Sequence, residues 1–371
     1  MRVSKWVPVV LALMLVLTSL FACTGPAEEP PAEKPSAGVA GEPQRIPGVE
    51  MPKFLTIKGM SDPAGTLAHA AIPVITNIEA AFSEISMRQI PGGSKEAIDR
   101  IISGECELGV GSQLYAYQSW FGIGDYEGKQ FRGAREIYFH PDPWVAYWVA
   151  RKGLGITSMK DFDKPGLRIS PGKAGYSWTP IFDKILQELY GNSYAKIQER
   201  GGFVQYGNPS EMLDLFAEGK LDVCLRMGVD PWPPLTKTLI AMDVEWIPLT
   251  EEEVAIQLRE VPSYNRAVTP AGTYKGQDKD LLGIGGGGAT FIKADMPDDV
   301  VYNLLWAIFC EGRSEKFQEM HPKYKEPNFK LPERAMDNCV IPLHPGAIKF
   351  WKDWGYEIPV PFVESNPPPG K

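Results

Sequence analysis

The chain has 371 residues, with 38 Lys and Arg against 46 Asp and Glu, so its formal charge is −8. A hydrophobic share of 44% and a charged share of 23% exclude a chain that is disordered, collagen-like or coiled-coil as a whole. Five Cys are too few for a disulfide-framed miniprotein. The acidic balance argues against a nucleic-acid binder, which needs a basic face.

The N-terminus has the pattern of an export signal. Arg2 and Lys5 precede a run at 7–17 that is nearly all apolar, as in secretory signal peptides. A membrane span needs roughly 20 apolar residues, and Pro8 lies inside this shorter run. We therefore predict that residues 1–22 are a signal peptide and that the protein is exported.

Residues 20–23, Leu-Phe-Ala-Cys, resemble a bacterial lipobox. The resemblance implies cleavage before Cys23 and lipid attachment to it, which would anchor the protein in the periplasm or at the cell surface. Phe21 departs from the small residue usual there, so a plain signal peptide with an incidental Cys stays open. The sequence does not specify the membrane leaflet.

A change of composition follows. Seven of the 29 residues from 24 to 52 are Pro, and none is aromatic. Such a segment buries too little apolar surface to offset its ordering entropy, and Pro-rich linkers are extended. We predict a lipid-anchored, Pro-rich tether over residues 23–52.

The remaining body alternates predicted strands and helices. The pattern predicts strands at 54–59, 82–90, 108–111, 145–150, 167–170 and 221–226. It also predicts one helix that begins at 61–63, a second that follows an N-cap at Ser94, and two more at 179–190 and 211–218. Short strands joined by helices predict an open α/β sheet, in which ligands bind at the carboxyl ends of strands. About 320 residues exceed one usual core, which favours two lobes.

Most enzyme motifs are absent. The sequence has no H-E-x-x-H, no G-x-S-x-G and no Walker loop. Its four His are scattered without metal-ligand spacing, and His344 lies in a Pro-Leu-His-Pro-Gly turn. Residues 283–288 match G-x-G-x-x-G, but no buried strand precedes them, so we interpret them as flexible or closely packed backbone near a hinge or ligand. We predict no enzyme activity, no cofactor and no metal site.

Four Cys remain after lipid attachment at Cys23. In an oxidising compartment they allow up to two disulfides, and buried free thiols are an equal alternative. The pairing stays open among these residues: Cys106, Cys224, Cys310 and Cys339.

Four polar, glycine-flanked loops lie at predicted strand ends, at 59–66, 91–94, 172–179 and 226–232. Glycines let backbone N–H groups approach a ligand, and helix starts add positive potential, so we expect the ligand to carry a carboxylate. Simple helix capping is the alternative for Ser94. Arg226 offers a bidentate clamp for a carboxylate, with a salt bridge to a neighbouring acid as the equal alternative.

The same loops carry a family resemblance. Five landmarks occur in order between about Leu55 and Gly355, and together they resemble the TAXI family of TRAP-transporter solute-binding receptors. The landmarks lie at 93–98 with 104–108 and Gln113, at 153–162 with 166–170, at 218–222, at 269–278 and at 343–347.

The resemblance implies a type II periplasmic-binding-protein fold of two lobes with a cleft between them. It places the first part of lobe 1 at 53–145, lobe 2 at 146–264, and the return to lobe 1 with C-terminal helices at 265–371. Such a protein captures a small organic anion, closes like a hinge and delivers the ligand to a TRAP permease. The remaining alternatives are a ligand-sensing receptor lipoprotein and, less favoured, an exported hydrolase.

The resemblance also implies the site. One wall would contain Ser61, Thr66, Gly92, Gly93, Ser94 and Gln113, and the other Tyr176, Ser177, Trp178 and Thr179, with Arg226 and Trp232 added from the fourth loop. Family ligands are amino acids such as glutamate and dicarboxylates. Here Tyr176 and Trp178 replace small residues of the family's third loop, and the paired aromatics of its first loop are missing. These departures predict a bulkier or partly aromatic carboxylate. The ligand's identity and the oligomeric state stay open.

Overall fold

The computed structural model describes residues 41–59, 66–261 and 263–358. The predicted signal peptide, Cys23 and most of the tether lie outside them. Within the described part, ten strands occur at β1 Phe54–Lys58, β2 Ser86–Ile90, β3 Leu108–Gly111, β4 Ala134–Arg151, β5 Arg168–Gly172, β6 Phe203–Tyr206, β7 Val223–Val229, β8 Val244–Ile247, β9 Tyr264–Thr269 and β10 Leu281–Lys293.

Eleven α-helices alternate with these strands in the same described ranges. They are α1 Thr66–Ala81, α2 Ser94–Ile102, α3 Gln113–Phe121, α4 Trp178–Tyr190, α5 Tyr194–Glu199, α6 Pro209–Ala217, α7 Pro233–Ala241, α8 Glu251–Glu260, α9 Asp298–Phe309, α10 Glu315–Glu319 and α11 Pro345–Asp353, with 3₁₀ turns at Gly124–Tyr126, Met159–Asp163 and Pro322–Lys325. None of the helices described is long and apolar enough to cross a membrane.

The strands form one mixed sheet in the order β2-β1-β3-β10-β4-β7-β5-β6, with β8 paired to β4 and β9 to β10. β1 runs parallel to β2 and β3, and β5 runs parallel to β6 and β7. The two parallel groups define a first half (β1, β2, β3) and a second half (β5, β6, β7) of the sheet. The predicted α/β class is therefore confirmed.

Two long antiparallel strands, β4 and β10, serve both halves. The first part of β4 pairs with β10, and its second part, from Trp144 to Ala150, pairs with β7. At the crossing, Pro141 lies opposite Gly287. A side chain at Gly287 would collide with the Phe139 ring, so the glycine run is closely packed backbone, which was one of the two alternatives. The proposed lobe boundary at 145/146 falls inside β4, and the division into lobes stays a prediction.

Three apolar clusters hold the sheet and its helices together. One packs α1, α9 and α11 against the first half and includes Trp351. A second lies on one face of the second half, around Phe216. The third runs from Tyr115 on α3 to Trp178 and Phe182 on α4. Since a fully buried large apolar side chain contributes roughly 1.5–3 kcal/mol, this third cluster helps to hold the two halves against each other.

The bounds of two predicted strands differ from those found. The second strand begins at Ser86 rather than Phe82, because Phe82 is buried in the turn that follows α1. The strand predicted at 145–150 is the second part of the longer β4, whose two prolines, Pro141 and Pro143, hide it in the sequence pattern.

Residues 41–52, the last part of the predicted tether, lie against the folded body. The backbone N–H of Ile46 donates to the side-chain oxygen of Asn303 at 2.9 Å, and the Asn303 amide donates back to the Ile46 carbonyl at 3.0 Å. Met51 is buried in the first half, and the Arg45 guanidinium lies 4.5 Å from the centre of the Phe82 ring. A buried Met, a cation–π contact and a reciprocal amide pair thus fix a Pro-rich segment.

Candidate functional site

The carboxyl ends of parallel strands from the two halves of the sheet lie close to the place where the halves meet. β1 ends at Lys58 and β3 at Gly111, while β5 ends at Gly172 in the second half. The halves touch here, because the backbone N–H of Lys95 on α2 donates to the Gly175 carbonyl at 3.1 Å. Open α/β sheets bind ligands outside the carboxyl ends of their strands, so this junction, called the crevice below, is the candidate site.

The first wall of the crevice is the start of α2. Gly93 precedes the helix as its N-cap, and its N–H donates to the Glu96 carboxylate. A methyl group at Gly93 would lie 2.8 Å from the Tyr176 ring of the second half, and one at Gly92 would lie 3.2 Å from the side chain of Lys58. Both glycines therefore allow close approach.

Ser94 was predicted as the N-cap, which is wrong: Ser94 is the first helical residue, and Gly93 caps the helix. The Ser94 side chain is only 4% exposed. No partner for its hydroxyl occurs in the described ranges. The start of α2 thus combines a buried free hydroxyl with the positive end of a helix dipole.

The second wall is aromatic. The Trp178 ring centre lies 4.6 Å from that of Tyr176 and 6.2 Å from that of Trp144, and Trp144 lies 5.3 Å from Tyr264. All four side chains are buried. The indole N–H of Trp178 has no acceptor in the part of the chain that the structure describes, which leaves a second unused donor in this region.

Hydroxyl groups connect the two walls. Tyr115 of the first half donates its hydroxyl to the Tyr176 carbonyl at 3.2 Å. The Ser177 hydroxyl shares a hydrogen bond with the Tyr264 hydroxyl. Burial raises the pKa of Tyr264 to about 12, although hydrogen bonds from Ser177 and Ser112 lower it. Tyr264 therefore keeps its proton at neutral pH. Thr179 only braces the loop, because its hydroxyl donates to the Lys173 carbonyl at 3.0 Å.

Lys58 is the site residue that the sequence analysis missed. Its side chain is 0% exposed, and its amine donates to the Val110 carbonyl at 2.9 Å. Burial lowers the pKa of Lys58 to about 7, partly offset by Glu96 and reinforced by Lys173. The available signal was a Lys as the last residue of a mostly apolar strand, immediately before a glycine loop.

Gln113 does not reach the crevice. Its side-chain amide donates to the Glu136 carboxylate at 2.7 Å and to the Asn338 carbonyl. Glu136 is buried on β4, and burial raises its pKa to about 7, although hydrogen bonds from Val340 and Gln113 lower it. Gln113 therefore satisfies a buried carboxyl group inside the first half.

Arg226 and Trp232 lie on the other face of the second half. The Arg226 guanidinium is buried, forms an ion pair with Asp230, and donates to the Tyr274 hydroxyl at 2.7 Å. It also lies 4.9 Å from the Tyr147 ring centre and 5.9 Å from that of Trp232. The salt bridge to a neighbouring acid, which the sequence left as an alternative, is therefore the arrangement found.

The structure thus brings together six of the predicted residues, namely Gly92, Gly93, Ser94, Tyr176, Ser177 and Trp178. Thr179 braces their loop, whereas Gln113, Arg226 and Trp232 lie elsewhere. Ser61 falls outside the described residues, and Thr66 is the first residue of α1.

Histidines and cysteines form no metal site in the described ranges, where no group of three or more potential ligands occurs. Burial lowers the pKa of His69 to about 4 and that of His140 to about 3. The His344 ring accepts the Gly346 N–H at 3.2 Å and caps α11. The four described Cys are buried free thiols, which was one of the two alternatives.

The structure is similar to several solved binding proteins. The alkanesulfonate-binding protein SsuA from Xanthomonas axonopodis pv. citri bound to MOPS is 14% identical, with 82% of this chain and 91% of that chain covered and a TM-score of 0.42. The periplasmic binding protein BugD is 11% identical, with 81% and 95% covered and a TM-score of 0.47.

A third similar structure is a binding protein component of an ABC phosphonate transporter from Pseudomonas aeruginosa. It is 11% identical, with 73% of this chain and 79% of that chain covered and a TM-score of 0.43. A model of the NMT1-like family matches residues 68–355, which is most of the chain. The chain therefore belongs to the NMT1-like family.

Proposed function

We propose that this protein is the extracytoplasmic solute-binding component of a membrane transporter and that it captures a small organic carboxylate without altering it. The observation that carries the proposal is the spare hydrogen-bonding capacity of buried donors at the crevice. Within the described residues the Lys58 amine has one acceptor for its three N–H groups, and the buried Trp178 indole N–H has none. The Ser94 side chain is buried at the start of α2. Buried donors without acceptors are unfavourable, and an anionic ligand would supply the acceptors.

The aromatic wall suggests the rest of the ligand. Small-molecule sites combine apolar walls with a few placed polar groups that fix orientation. Here Trp144, Tyr176, Trp178 and Tyr264 supply an apolar wall, and the donors supply the polar end. A bulky or aromatic carboxylate would match both, better than glutamate or a plain dicarboxylate.

Capture would use the two joining strands. β4 and β10 connect the halves, so bending at 140–143 and 285–288 would open and close the crevice as a hinge. The closed form would then dock on a permease of the TRAP type, as the resemblance to TAXI receptors implies. Export and a lipid at Cys23 would hold the protein at the membrane.

Native mass spectrometry of the protein, purified without refolding, tests the proposal directly. We expect a retained small acid. A thermal-shift series then compares benzoate, phenylacetate, L-glutamate, succinate, benzenesulfonate and phenylphosphonate, because a ligand that binds only the folded state raises the melting temperature.

The series separates the parts of the proposal. Stabilisation by benzoate or phenylacetate supports an aromatic carboxylate, whereas strong stabilisation by glutamate alone contradicts the aromatic part. A response only to the sulfonate or the phosphonate contradicts the carboxylate class. No retained acid and no response to any compound would contradict solute binding itself.

A further inference from the structure

Lys58 stands apart from the other described lysines, because it alone is buried. Lysine is rarely buried without a partner, since its charged form loses its hydration. A buried lysine is therefore expected to have a counter-charge, to have hydrogen-bond acceptors for its N–H groups, or to serve in binding or catalysis. The contacts of Lys58 show how far the first two needs are met.

The contacts leave most of the amine unsatisfied. An ammonium has three N–H donors, and within the described residues the Lys58 amine has one acceptor, the Val110 carbonyl at 2.9 Å. Glu96 attracts Lys58, but the Glu96 carboxylate already accepts the N–H of Gly93 as part of the helix cap. Lys58 is therefore only partly compensated.

The other charged and titratable groups around Lys58 do not complete the compensation. Lys173, in the loop after β5, and Arg100 on α2 both repel its charge. Cys106 is a neutral thiol at ordinary pH, because burial raises its pKa to about 11. Among the residues that the structure describes, the surroundings of Lys58 are thus short of negative charge.

The position of the amine matches that shortage. Lys58 is the last residue of β1, and its side chain passes beneath Gly92, where a methyl group would lie 3.2 Å from it. The positive end of the α2 dipole and the free Ser94 hydroxyl begin at the same place. An anion at this point would meet a helix N-terminus and a lysine together, which is a favourable anion site.

From this geometry we infer that Lys58 is the anchor for the anionic group of the ligand and that the ligand draws a proton onto the Lys58 amine as it binds. The inference rests on the proposed function and adds to it the charged contact and its coupling to pH. The inference also assigns a role to Glu96, whose negative charge would partly offset the unfavourable burial of the Lys58 charge before the ligand binds.

The direction of the coupling follows from linkage. Burial lowers the pKa of Lys58 to about 7 in the unliganded protein, and a bound anion favours the charged amine and raises that pKa. Below pH 7 the amine is already charged, so the affinity is constant. Above pH 7 binding needs a proton, and the affinity falls by up to about tenfold per pH unit until the pKa of the complex is reached.

Isothermal titration calorimetry of the full exported chain measures this coupling. Benzoate and L-glutamate are titrated at several pH values in pairs of buffers with different ionisation enthalpies. We expect proton uptake to rise from near zero below pH 6 toward one proton per ligand above about pH 8. Tight binding without proton uptake would overturn the coupling.

Variants at Lys58 test the anchor. Lys58→Met should weaken binding roughly 10- to 100-fold, because it removes a charged hydrogen bond, and should abolish the proton uptake. Lys58→Gln, which keeps a donor, should lose the uptake but retain more affinity. The control Lys152→Met, in the exposed turn after β4, should match the wild-type protein in both measurements.

The outcomes distinguish the two proposals. If the wild-type protein binds a probe and folded Lys58→Met binds it equally well, the anchor is wrong and solute binding stands. If uptake persists in Lys58→Met, the proton goes to another group such as Glu136, and the coupling assigned to Lys58 is wrong. If the wild-type protein retains no acid and binds no probe, both proposals fail.

Discussion

Each half of the sheet buries one cationic side chain on a strand, and the two side chains differ in how far their charge is compensated. Arg226, on β7, forms an ion pair with Asp230 and donates to the Tyr274 hydroxyl. Lys58, at the end of β1, has the Val110 carbonyl as its acceptor. A compensated buried charge is a structural element, whereas an undercompensated one at a crevice is a candidate for binding. The predictions below test that distinction.

The largest effect is expected at the compensated cation. Asp230→Ala would leave the Arg226 guanidinium buried without its counter-charge, and breaking a buried pair in this way costs about 3–5 kcal/mol. Asp230 also accepts from the Thr269 and Tyr274 hydroxyls, so its loss disturbs the whole network. Urea denaturation gives the free energy of unfolding.

The matched control for this variant is Asp214→Ala. Asp214 pairs with Lys237 at 2.9 Å on the surface, where both side chains are more than half exposed. Such a pair contributes about 0–1 kcal/mol. Equal losses for Asp230→Ala and Asp214→Ala would mean that Arg226 and Asp230 are not a structural pair.

The undercompensated cation should behave in the opposite way. Lys58→Met is expected to stabilise the unliganded protein by about 2–4 kcal/mol at pH 7, because it removes the burial of a charge. Since burial lowers the folded-state pKa of Lys58 to about 7, the unfolded chain binds the extra proton between pH 7 and about 10.4. Wild-type stability therefore rises with pH over that window, and the advantage of the variant shrinks.

Urea denaturation at pH 6, 8 and 10 measures this difference. Lys152→Met, which replaces an exposed lysine, serves as the control at each pH and should stay within about 0.5 kcal/mol of the wild-type protein. If Lys58→Met destabilises the protein at pH 6, Lys58 contributes to stability and the contrast with Arg226 disappears.

The same contrast shows what could be read from the sequence. The α/β class and the glycine loops at strand ends followed from local patterns, because strand–helix alternation and glycine placement are local properties. The ion pair of Arg226 could not be read from local patterns, because it depends on the folded position of Asp230 and on Tyr274 from a distant segment. Lys58 was missed because its burial comes from β3 and α2, and the signal within β1 was only a Lys at the end of a mostly apolar strand.

The site was predictable in the same uneven way. Gly93 and Ser94 were found because a glycine pair before a helix is a local signal. Gln113 was assigned to the crevice through a resemblance, whereas its partner Glu136 lies in the part of β4 that the prolines conceal. Local chemistry thus located the loops, and tertiary pairing decided which side chains are free.

A smaller effect is expected where the two halves touch. Gly93→Ala would place a methyl group 2.8 Å from the Tyr176 ring, and such overpacking costs about 1–3 kcal/mol. Gly41→Ala, where the structure has open space within 4 Å, is the control. The methyl group would also lie 2.8 Å from the Glu96 carboxylate, so a double-mutant cycle with Tyr176→Ala should recover part of the loss. Additive effects would show that Gly93 and Tyr176 are not in contact in solution.

The smallest effect is expected for Ser94→Ala, which removes one neutral hydroxyl from the crevice. Since a single hydrogen bond contributes about 0.5–1.5 kcal/mol, benzoate binding should weaken by about 2- to 12-fold while the melting temperature of the unliganded protein stays unchanged. Ser103→Ala, at the opposite end of α2 and exposed, should alter neither quantity. The loss of benzoate affinity in Ser94→Ala is then compared with the loss in Lys58→Met, which ranks the two donors. A greater loss of affinity at Ser94 than at Lys58 would make the helix start, and not the buried charge, the main determinant of anion binding.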